Sequence, residues 1–456
     1  MGLSGQMTSA ECRSAQYRPC RVGVAGAGPA GSFFAIWLLT LARKTGQSFD
    51  VTLYDPRDFS RPGPTGCNMC AGVITDSLVR PMARLGIVLP EHLIQRRIRG
   101  YVLVTRWGAV DIPVPEGRAV YSTYRGPGPL GMYPAEPASF DQFLLDCAVR
   151  LGAAAVRQRV CDVELPRCPH GLFRLKRSDG LSDEVDLLVA AFGVNSGLRR
   201  VFERLPLGYR PPRVERACQA ELPTGAQFIE QTLRSRVVIF ALGWRNLRFA
   251  ALTPKKEHIT VTLIGGSPSR ADLEAFLSLQ QVRPFLPTGW RPPERYCHCF
   301  PALPVTAAAN PVSDCVLVVG DANVSRYLKS GIESSFFTAF LAAKAVSAGL
   351  TSRAQLRAGF LRECQRRYAR DNFYGKALFC ALDVISRSRV LSRAHIKMLM
   401  AEKASRGGGP LNELVWSLFA GAASYRHILV SALSPLLQWR LATSALGKAL
   451  PAASIP

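Results

Sequence analysis

Six residues near the N-terminus, Gly26-Ala27-Gly28-Pro29-Ala30-Gly31, constrain the fold more than any other part of the sequence. They follow a short apolar strand pattern at Arg21 to Ala25 and precede an almost wholly apolar helix pattern at Ser32 to Leu41. A second strand pattern, Val51-Thr52-Leu53-Tyr54, then ends in Asp55. Strand, glycine turn, helix, strand and acidic residue together predict the β-α-β unit that binds a dinucleotide.

Each glycine of this motif has its own physical task in such a unit. Gly26 allows the tight turn after the strand, Gly28 lets the backbone approach a pyrophosphate, and Gly31 permits close packing of helix on strand. The start of the helix, which includes Ala30, directs N–H groups at phosphate. Asp55, at the end of the second strand, would accept hydrogen bonds from ribose hydroxyls.

Strand and helix patterns divide the rest of the chain. A buried strand at Val185 to Ala191 ends in Gly193-Val194-Asn195-Ser196, and another at Cys315 to Val319 leads into Gly320-Asp321-Ala322 and a helix. Apolar alternation between them predicts an antiparallel sheet. We expect an α/β protein with a doubly wound, Rossmann-like domain, an antiparallel β-sheet substrate domain and a helical C-terminal region.

The expected boundaries follow from these patterns. An N-terminal tail at 1–20 precedes the doubly wound domain, whose first part is 21–200 and whose second part is 301–350, with 100–135 contributing to the substrate side. The antiparallel domain lies between these parts at 201–300, and the helical region follows at 351–456.

The order of the glycine motif, the strand ending at Gly193-Val194-Asn195-Ser196 and the Gly320-Asp321-Ala322 turn resembles a known fold. It is similar to the FAD-dependent fold of p-hydroxybenzoate hydroxylase and, within it, to the geranylgeranyl reductase family, over roughly Arg21 to Leu350. The resemblance implies FAD as the cofactor, with the ADP half on the first motif and the ribityl chain hydrogen-bonded to Asp321 beside Gly320. In the turn Lys329-Ser330-Gly331-Ile332, the N–H groups of Gly331 and Ile332 would reach the flavin ring.

Two further segments carry the resemblance to the reductases. Cys67-Asn68-Met69-Cys70-Ala71-Gly72 stands where that family has a cysteine-glycine loop facing the flavin, which implies cofactor contacts from Cys70, Ala71 and Gly72. The Thr253-Pro254-Lys255 turn stands where the family ends a strand that lines a lipid cavity. The matching positions by chain order are Phe249, Ala251, Thr253 and Pro254.

Two positions depart from the hydroxylases of this fold. Phe192 stands where they place an acid implicated in handling flavin and nicotinamide. Pro137 stands where an arginine is usual, and Arg125 is the nearest substitute for that cofactor contact. The tryptophan-rich signature of flavin halogenases is absent from the sequence as well. These departures favour reduction over oxygen insertion or halogenation.

The resemblance therefore implies a FAD-dependent oxidoreductase that reduces carbon-carbon double bonds of an isoprenoid-like or other apolar small molecule. Cys70 is the first candidate for a catalytic role at the reacting face and Tyr327 the second. NAD(P)H or ferredoxin would supply the electrons. Two alternatives stay open: a FAD-dependent monooxygenase acting on an aromatic or polyketide-like compound, and a non-catalytic prenyl-lipid carrier on the same fold.

Thirteen cysteines, an odd number without regular spacing, favour a reducing compartment and small buried side chains over a disulfide framework. Cys67 and Cys70, with Cys297 and Cys299, could supply four thiolates to a metal, or Cys67 and Cys70 could form a redox-active pair. We expect no resident metal. The sequence leaves the disulfide, the metal site and the oligomeric state open.

The net charge of +24 favours anionic partners. The segment from Thr351 onward is both basic and apolar, without the interleaved base-stacking aromatics of a nucleic-acid site, so we expect no nucleic acid. An ordinary solvated face and docking on anionic lipid remain its two interpretations. Neither a secretory signal nor a spanning helix is evident, which predicts a cytoplasmic protein, with attachment at the inner face of the membrane as a further expectation. The side chains expected to enter the membrane interface are Trp416, Leu418, Phe419 and Trp439.

Overall fold

The glycine motif opens a helix of the expected β-α-β unit. The computed structural model describes residues 18–67, 71–131, 139–167, 171–404 and 408–446. Strands β1 (Cys20–Ala25) and β2 (Phe49–Tyr54) pair in parallel, and helix α1 (Pro29–Thr45) joins them. Pro29 lies in the first helical turn, where its missing N–H costs nothing, and Gly46 ends the helix with a φ of 67°.

The β-α-β unit belongs to a six-stranded sheet. Besides β1 and β2, this sheet contains β8 (Ala154–Val156), β12 (Leu187–Ala190), β19 (Val312–Ser313) and β20 (Val316–Val318). The strand order is β19-β20-β12-β1-β2-β8, with β19 antiparallel to β20 and the other pairs parallel. One face packs against α1, α3 (Phe140–Arg150) and α6 (Gly331–Ser347), and the other against a small antiparallel sheet of β9 (Val160–Glu164), β10 (Phe173–Arg177) and β11 (Ser182–Val185).

A second large sheet provides the antiparallel layer that the sequence predicts. Its strands are β5 (Gly100–Thr105), β6 (Gly108–Pro113), β13 (Val214–Pro223), β14 (Arg236–Phe240), β15 (Phe249–Pro254), β16 (His258–Ile264), β17 (Cys297–Cys299) and β18 (Ala302–Pro304). The order is β17-β13-β16-β15-β14-β5-β6, with β18 beside β13. One pair, β14 with β5, is parallel. One face of this sheet packs against α5 (Arg270–Leu277). The parallel sheet with its helices and this antiparallel sheet together confirm the expected α/β fold.

A third sheet and several short helices complete the part of the fold that precedes the long C-terminal helices, up to Ala369. Strands β3 (Val73–Thr75), β4 (Ile94–Ile98) and β7 (Val120–Thr123) form the sheet in the order β3-β7-β4. The remaining helices of this part are α2 (Asp76–Arg84) and α4 (Arg199–Arg204). Shorter helical turns lie at Gly63–Thr65, Glu91–Leu93, Ala226–Phe228, Ile229–Leu233, Arg283–Phe285, Gly320–Ala322, Arg353–Leu356, Arg357–Leu361, Arg362–Cys364 and Gln365–Ala369.

The C-terminal helices cover the second face of the antiparallel sheet. They are α7 (Arg370–Arg387), α8 (Arg389–Ala404), α9 (Pro410–Ala420), α10 (Tyr425–Ala432) and α11 (Pro435–Leu446), and they share one apolar core with β5 and β14. Within the described residues, none of the helices combines the length and the apolar character that a bilayer crossing requires.

This packing corrects one expectation about the C-terminal region. Trp416 is only 2% exposed, and Leu418 and Phe419 are 8% exposed each, so these three side chains are core residues and cannot enter a membrane interface in this fold. The expectation for them is wrong because an apolar helix looks the same in sequence whether it covers a sheet or a lipid surface. Trp439 is 64% exposed and stays available.

The two tryptophans provide a matched test of this arrangement. Trp416→Ala removes a ring packed 5.5 Å from that of Tyr101 and leaves a cavity, so we expect a loss of about 3–5 kcal/mol in the free energy of unfolding. Trp439→Ala should change it by less than about 0.5 kcal/mol. Urea unfolding followed by circular dichroism measures both. Equal effects of the two substitutions would contradict the packing of α9 on the sheet.

Candidate active site

One large cavity, of about 820 Å³, lies where the sheets and the C-terminal helices meet. Its walls come from the β1–α1 turn, the end of β2, the turn before α6, the cavity-facing side of the antiparallel sheet, the middle of α7 and the end of α9. The cavity therefore has a polar end at the parallel sheet and an apolar end at the antiparallel sheet.

The glycine motif forms the first wall of the polar end. Gly26, Gly28 and Ala30 line the cavity. Gly26 has a φ of 113°, and a Cβ there would lie 2.5 Å from the carbonyl oxygen of Ala191. A Cβ on Gly31 would lie 1.9 Å from the carbonyl oxygen of Gly26, so Gly31 sits behind the wall and permits the close helix approach. The backbone and the N-terminus of α1 thus face the cavity, as a pyrophosphate site requires.

Asp55 lies in the cavity at the end of β2, with Arg57 beside it. Its carboxylate accepts hydrogen bonds from the backbone N–H of Ala27 at 3.0 Å and from that of Arg57 at 3.0 Å. The Arg57 guanidinium also pairs with it, with Nε 3.2 Å from Oδ1. A carboxylate held in this way keeps acceptor capacity for a ribose hydroxyl.

Asp321 provides the clearest structural indication of a missing group. Its Oδ1 is buried and has no hydrogen-bond partner among the described residues, although the residue lines the cavity. Burial raises the pKa of Asp321, while Ser325 and Arg125 act in the opposite direction. A Cβ on the neighbouring Gly331 would lie 3.4 Å from this oxygen, so the approach is narrow. An unpaired buried carboxylate oxygen fits a polyhydroxyl chain such as the ribityl chain of FAD.

Arg125 also lines the cavity, in a fixed orientation. Its guanidinium forms a bidentate ion pair with Asp141, with Nη2 2.8 Å from Oδ2. The backbone carbonyl of Arg125 accepts from Ser139 Oγ at 2.9 Å, which ties the start of α3 to this position. Arg125, which we expected to replace the usual arginine, therefore lines the cavity.

The end of the cysteine-glycine loop, at Ala71 and Gly72, contacts β7 and a buried lysine. Thr123 N–H donates to the carbonyl of Gly72 at 2.8 Å, and a Cβ on Gly72 would lie 1.9 Å from the carbonyl oxygen of Thr123. Lys255, fully buried after the end of β15, donates from Nζ to the carbonyls of Ala71 and Thr123, both at 2.6 Å. The Thr253-Pro254-Lys255 turn therefore supports this loop.

Within the loop, Cys67 and Ala71 line the cavity, whereas Cys70 lies outside the described residues. Among the described residues, no group of three or more His, Cys, Asp or Glu side chains could hold a metal ion. The four-cysteine hypothesis includes Cys70, so it remains a hypothesis. Pro137 lies outside the described residues as well.

The turn before α6 is tied to the C-terminal helices. Gly331 and Ile332 line the cavity, and Gly320 sits behind Asp321, where a Cβ would lie 2.6 Å from that of Ala30. Lys329 donates to the carbonyls of Leu418 and Phe419 at the end of α9. Burial, with Arg326 nearby, lowers the pKa of Lys329 well below its ordinary value, and Glu333 opposes this shift. The two hydrogen bonds from Lys329 thus hold this turn against helix α9, and burial there disfavours the charged form of Lys329.

The apolar end of the cavity is a chamber between the antiparallel sheet and the C-terminal helices. Of the four matched positions, Phe249, Ala251 and Thr253 line it, whereas the Pro254 carbonyl accepts from Ser122 Oγ at 2.7 Å. We refer to this part as the apolar chamber; its further lining residues are Tyr101, Ala217, Gln219, Val237, Ile239, Thr262, Ile264, Phe379, Phe419 and Ala420.

Two aromatic residues singled out in the sequence have packing roles. Tyr327 is not among the residues that line the cavity: its hydroxyl lies 3.4 Å from Glu215, and its ring packs against Phe379. Burial raises the pKa of Tyr327 to about 12. A catalytic role for Tyr327 stays a prediction. Phe192 lines the cavity and packs against Phe202 with ring centroids 5.0 Å apart.

Sequence reasoning missed Lys255 and several chamber residues as members of the site. The position of Lys255 directly after an apolar strand could have indicated this role, because a lysine side chain is rarely buried unless its charge has partners. Tyr101, Gln219 and Thr262 carried no such signal. They reach one chamber because strands far apart in the chain become neighbours.

Solved structures share this architecture. A geranylgeranyl bacteriochlorophyll reductase-like protein from Thermoplasma acidophilum matches with a TM-score of 0.66 and 14% identity, over 91% of this chain and 98% of that one. The halogenase PltM, solved with phloroglucinol and FAD, matches with a TM-score of 0.58 and 14% identity, over 94% and 91%. 2-Methyl-3-hydroxypyridine-5-carboxylic acid oxygenase matches with a TM-score of 0.57 and 18% identity, over 83% and 96%.

No protein-family model and no curated protein sequence matches the chain. At the identities of these solved structures, the likeness shows the fold. It confirms the fold that the resemblance implied, one shared by reductase-like, halogenase and oxygenase structures.

The support of the cysteine-glycine loop by Lys255 can be tested directly. Lys255→Met removes the donor to the carbonyls of Ala71 and Thr123 while keeping an apolar side chain of similar length, so these carbonyls lose their partner. We expect faster amide hydrogen exchange at Thr123 and its neighbours, measured by mass spectrometry. The control is Lys256→Met, at an exposed position next along the chain. Unchanged exchange in Lys255→Met would contradict the role of this side chain.

Proposed function

We propose that this chain is a FAD-dependent oxidoreductase that reduces carbon-carbon double bonds of an isoprenoid-like or other apolar substrate. The observation that carries the proposal is one continuous cavity that joins the glycine motif, the unpaired Asp321 carboxylate oxygen and the apolar chamber. Such a cavity brings a dinucleotide and an apolar molecule into one site. The shared fold of the reductase-like protein from Thermoplasma acidophilum supports the same reading.

The residues present fit FAD. Gly28 and the start of α1 would hold the pyrophosphate, Asp55 the ribose, Asp321 the ribityl chain, and the backbone at Gly331 and Ile332 the ring. When bound and reduced, FAD supplies a hydride equivalent. We propose NAD(P)H or ferredoxin as the source of the electrons.

The chain itself must orient the substrate, exclude water and provide a proton. The buried side chains of Val237 and Ile239, with the half-buried Ala251, give the chamber an apolar floor, which keeps water away from an alkene. Cys70, on the loop that Lys255 supports, remains the candidate proton donor. Because Phe192 is apolar where hydroxylases have an acid, the site favours reduction over oxygen insertion.

A monooxygenase acting on an aromatic compound is the second candidate. The aromatic side chains of Tyr101, Phe249 and Phe379 in the chamber favour it, since they could pack against an aromatic ring. The oxygenase that shares the fold supports this alternative as well.

The cofactor is tested by denaturing the purified protein and identifying the released nucleotide, which should be FAD. Asp321→Ala removes an acceptor for ribityl hydroxyls and should weaken FAD retention by about 1–3 kcal/mol. Asp50→Ala, at an exposed position on β2, is the control and should retain FAD as the wild type does. Release of NAD alone, or failure to take up FAD, would contradict the proposal and favour the carrier alternative.

The reaction is tested in photoreduced protein without oxygen. Prenyl alkenes should reoxidise the flavin and yield a product with one double bond fewer, detected by mass spectrometry. Cys70→Ser should retain FAD but slow this turnover, whereas Cys380→Ser, at an exposed position that does not line the cavity, should not. Turnover that requires oxygen and incorporates labelled oxygen into the product would establish the monooxygenase instead.

For location, we propose that α10 and α11 hold the chain at an anionic lipid surface. Exposed apolar side chains follow one another along these helices, with exposures of 62% for Val430, 64% for Leu433, 59% for Leu436 and 64% for Trp439. The exposed Arg440 lies next to Trp439, and the net charge of the chain is +24. Apolar side chains beside basic ones suit the interface of an anionic membrane.

Vesicle binding tests this proposal. Leu436→Ser with Trp439→Ser should weaken binding to anionic vesicles at every salt concentration, because partitioning of apolar side chains is insensitive to salt. Arg440→Gln should remove about 1 kcal/mol of attraction at low salt and little at high salt. Val390→Ser, a 62% exposed position on α8, is the control. Equal sedimentation of the double variant and the wild type with vesicles would refute the proposal.

A further inference from the structure

Two polar side chains lie together in the mostly apolar wall of the chamber. Thr262 on β16 and Gln219 on β13 are directly opposite each other in the antiparallel pair, so both point to the same face of the sheet. Thr262 is 8% exposed and Gln219 is 5% exposed, and both line the cavity. A hydroxyl and an amide thus lie side by side in a chamber whose other lining residues, apart from Thr253, are aliphatic or aromatic.

The Thr262 hydroxyl has no hydrogen-bond partner within the part of the chain that the structure describes. Its Oγ1 is buried and makes no hydrogen bond to any described residue. Thr260, two residues earlier on the same strand, is different: its Oγ1 lies 2.9 Å from both carboxylate oxygens of Glu221. An unpaired buried hydroxyl destabilises the ligand-free protein. A ligand that forms a hydrogen bond with this hydroxyl would remove that cost.

Tyr101 repeats the observation on the other side of the chamber. It is 2% exposed, lines the cavity, and its hydroxyl has no hydrogen-bond partner among the described residues. Its strand, β5, is three strands from β16 in the sheet, which corresponds to about 14 Å. Val237, Ile239 and Ala251 form the apolar floor between these two polar positions.

The described residues that line the chamber carry no charge. This lining consists of aliphatic and aromatic side chains with Gln219, Thr253 and Thr262. A carboxylate or diphosphate entering the chamber would therefore meet hydroxyls and an amide, without a charged side chain in this lining to offset its desolvation. The polar group that suits this wall is neutral.

We propose that Thr262 and Gln219 bind a neutral oxygen, a hydroxyl or a carbonyl, on an otherwise apolar substrate, with Tyr101 available to a second polar group. The proposal rests on the proposed function, because it names the substrate class of the same cavity. A threonine hydroxyl and a glutamine amide both donate and accept, so either kind of oxygen satisfies them. The substrate is then an amphiphile with its oxygen bound inside the chamber.

Stability of the ligand-free protein provides the first test. Thr262→Val replaces an unpaired hydroxyl by a methyl group of the same size, so the thermal midpoint should stay unchanged or rise. Thr260→Val, two residues away on the same strand, removes a partner of Glu221 and should lower the midpoint by several degrees. An equal loss in both variants would show that the Thr262 hydroxyl is paired within the protein and would overturn the inference.

Ligand binding to the FAD-loaded full chain provides the second test. The probes are geranylgeraniol, the ketone geranylgeranylacetone, a C20 prenyl hydrocarbon without oxygen, and geranylgeranyl diphosphate, measured by isothermal titration calorimetry. The wild type should bind the alcohol or the ketone about tenfold more tightly than the hydrocarbon. Thr262→Val should abolish this preference without changing the affinity for the hydrocarbon. The better of the two neutral probes identifies the oxygen as hydroxyl or carbonyl.

The remaining outcomes separate the inference from the proposed function. Tightest binding of the diphosphate, a preference that survives Thr262→Val, or no binding of either oxygenated probe would overturn the inference. Binding that depends on Thr262, without reduction of any probe in the photoreduced protein, would overturn the proposed reductase and leave the oxygen-binding pair in place.

Discussion

The cavity depends on one buried ammonium group. Lys255 Nζ lies 2.6 Å from the carbonyl oxygens of both Ala71 and Thr123, and so joins the end of a strand in the antiparallel sheet to the small sheet and the cysteine-glycine loop. A buried cation is costly unless its hydrogen bonds are made, and these two carbonyls accept from it. Lys255 therefore holds Ala71, the end of the small sheet and the end of β15 in one arrangement beside the cavity.

The dinucleotide end of the site could be predicted from the sequence because its determinants are local. Gly26 has a positive φ in the turn, and a Cβ on Gly31 would clash with Gly26 five residues earlier, so both glycines are required by local geometry. Asp55 directly follows β2 and Asp321 comes three residues after the end of β20, and parallel strands place their ends at the same edge of a sheet. The fold class followed from the same periodicities, since each strand and helix carries its own pattern.

The substrate end could not be predicted in this way because it depends on pairing between distant strands. Thr262 and Gln219 become neighbours through the register of β16 and β13, which no local pattern specifies. The sequence also could not decide what the apolar face of α9 covers, and Trp416 was assigned to a membrane interface although it packs on Tyr101. Nor could the sequence show that the Tyr327 hydroxyl lies 3.4 Å from the carboxylate of Glu215, which is distant in the chain.

The parallel pairing of β14 with β5 has a consequence for how this protein is made. Tyr101 pairs with Val237, so the hairpin of β5 and β6 leaves the ribosome long before its partner strand exists. During that interval the nascent chain presents an unpaired strand edge with apolar residues, a surface prone to association with other chains. Synthesis of this protein should therefore depend on chaperones until β14 has emerged, and a pause in translation between the two strands should increase aggregation.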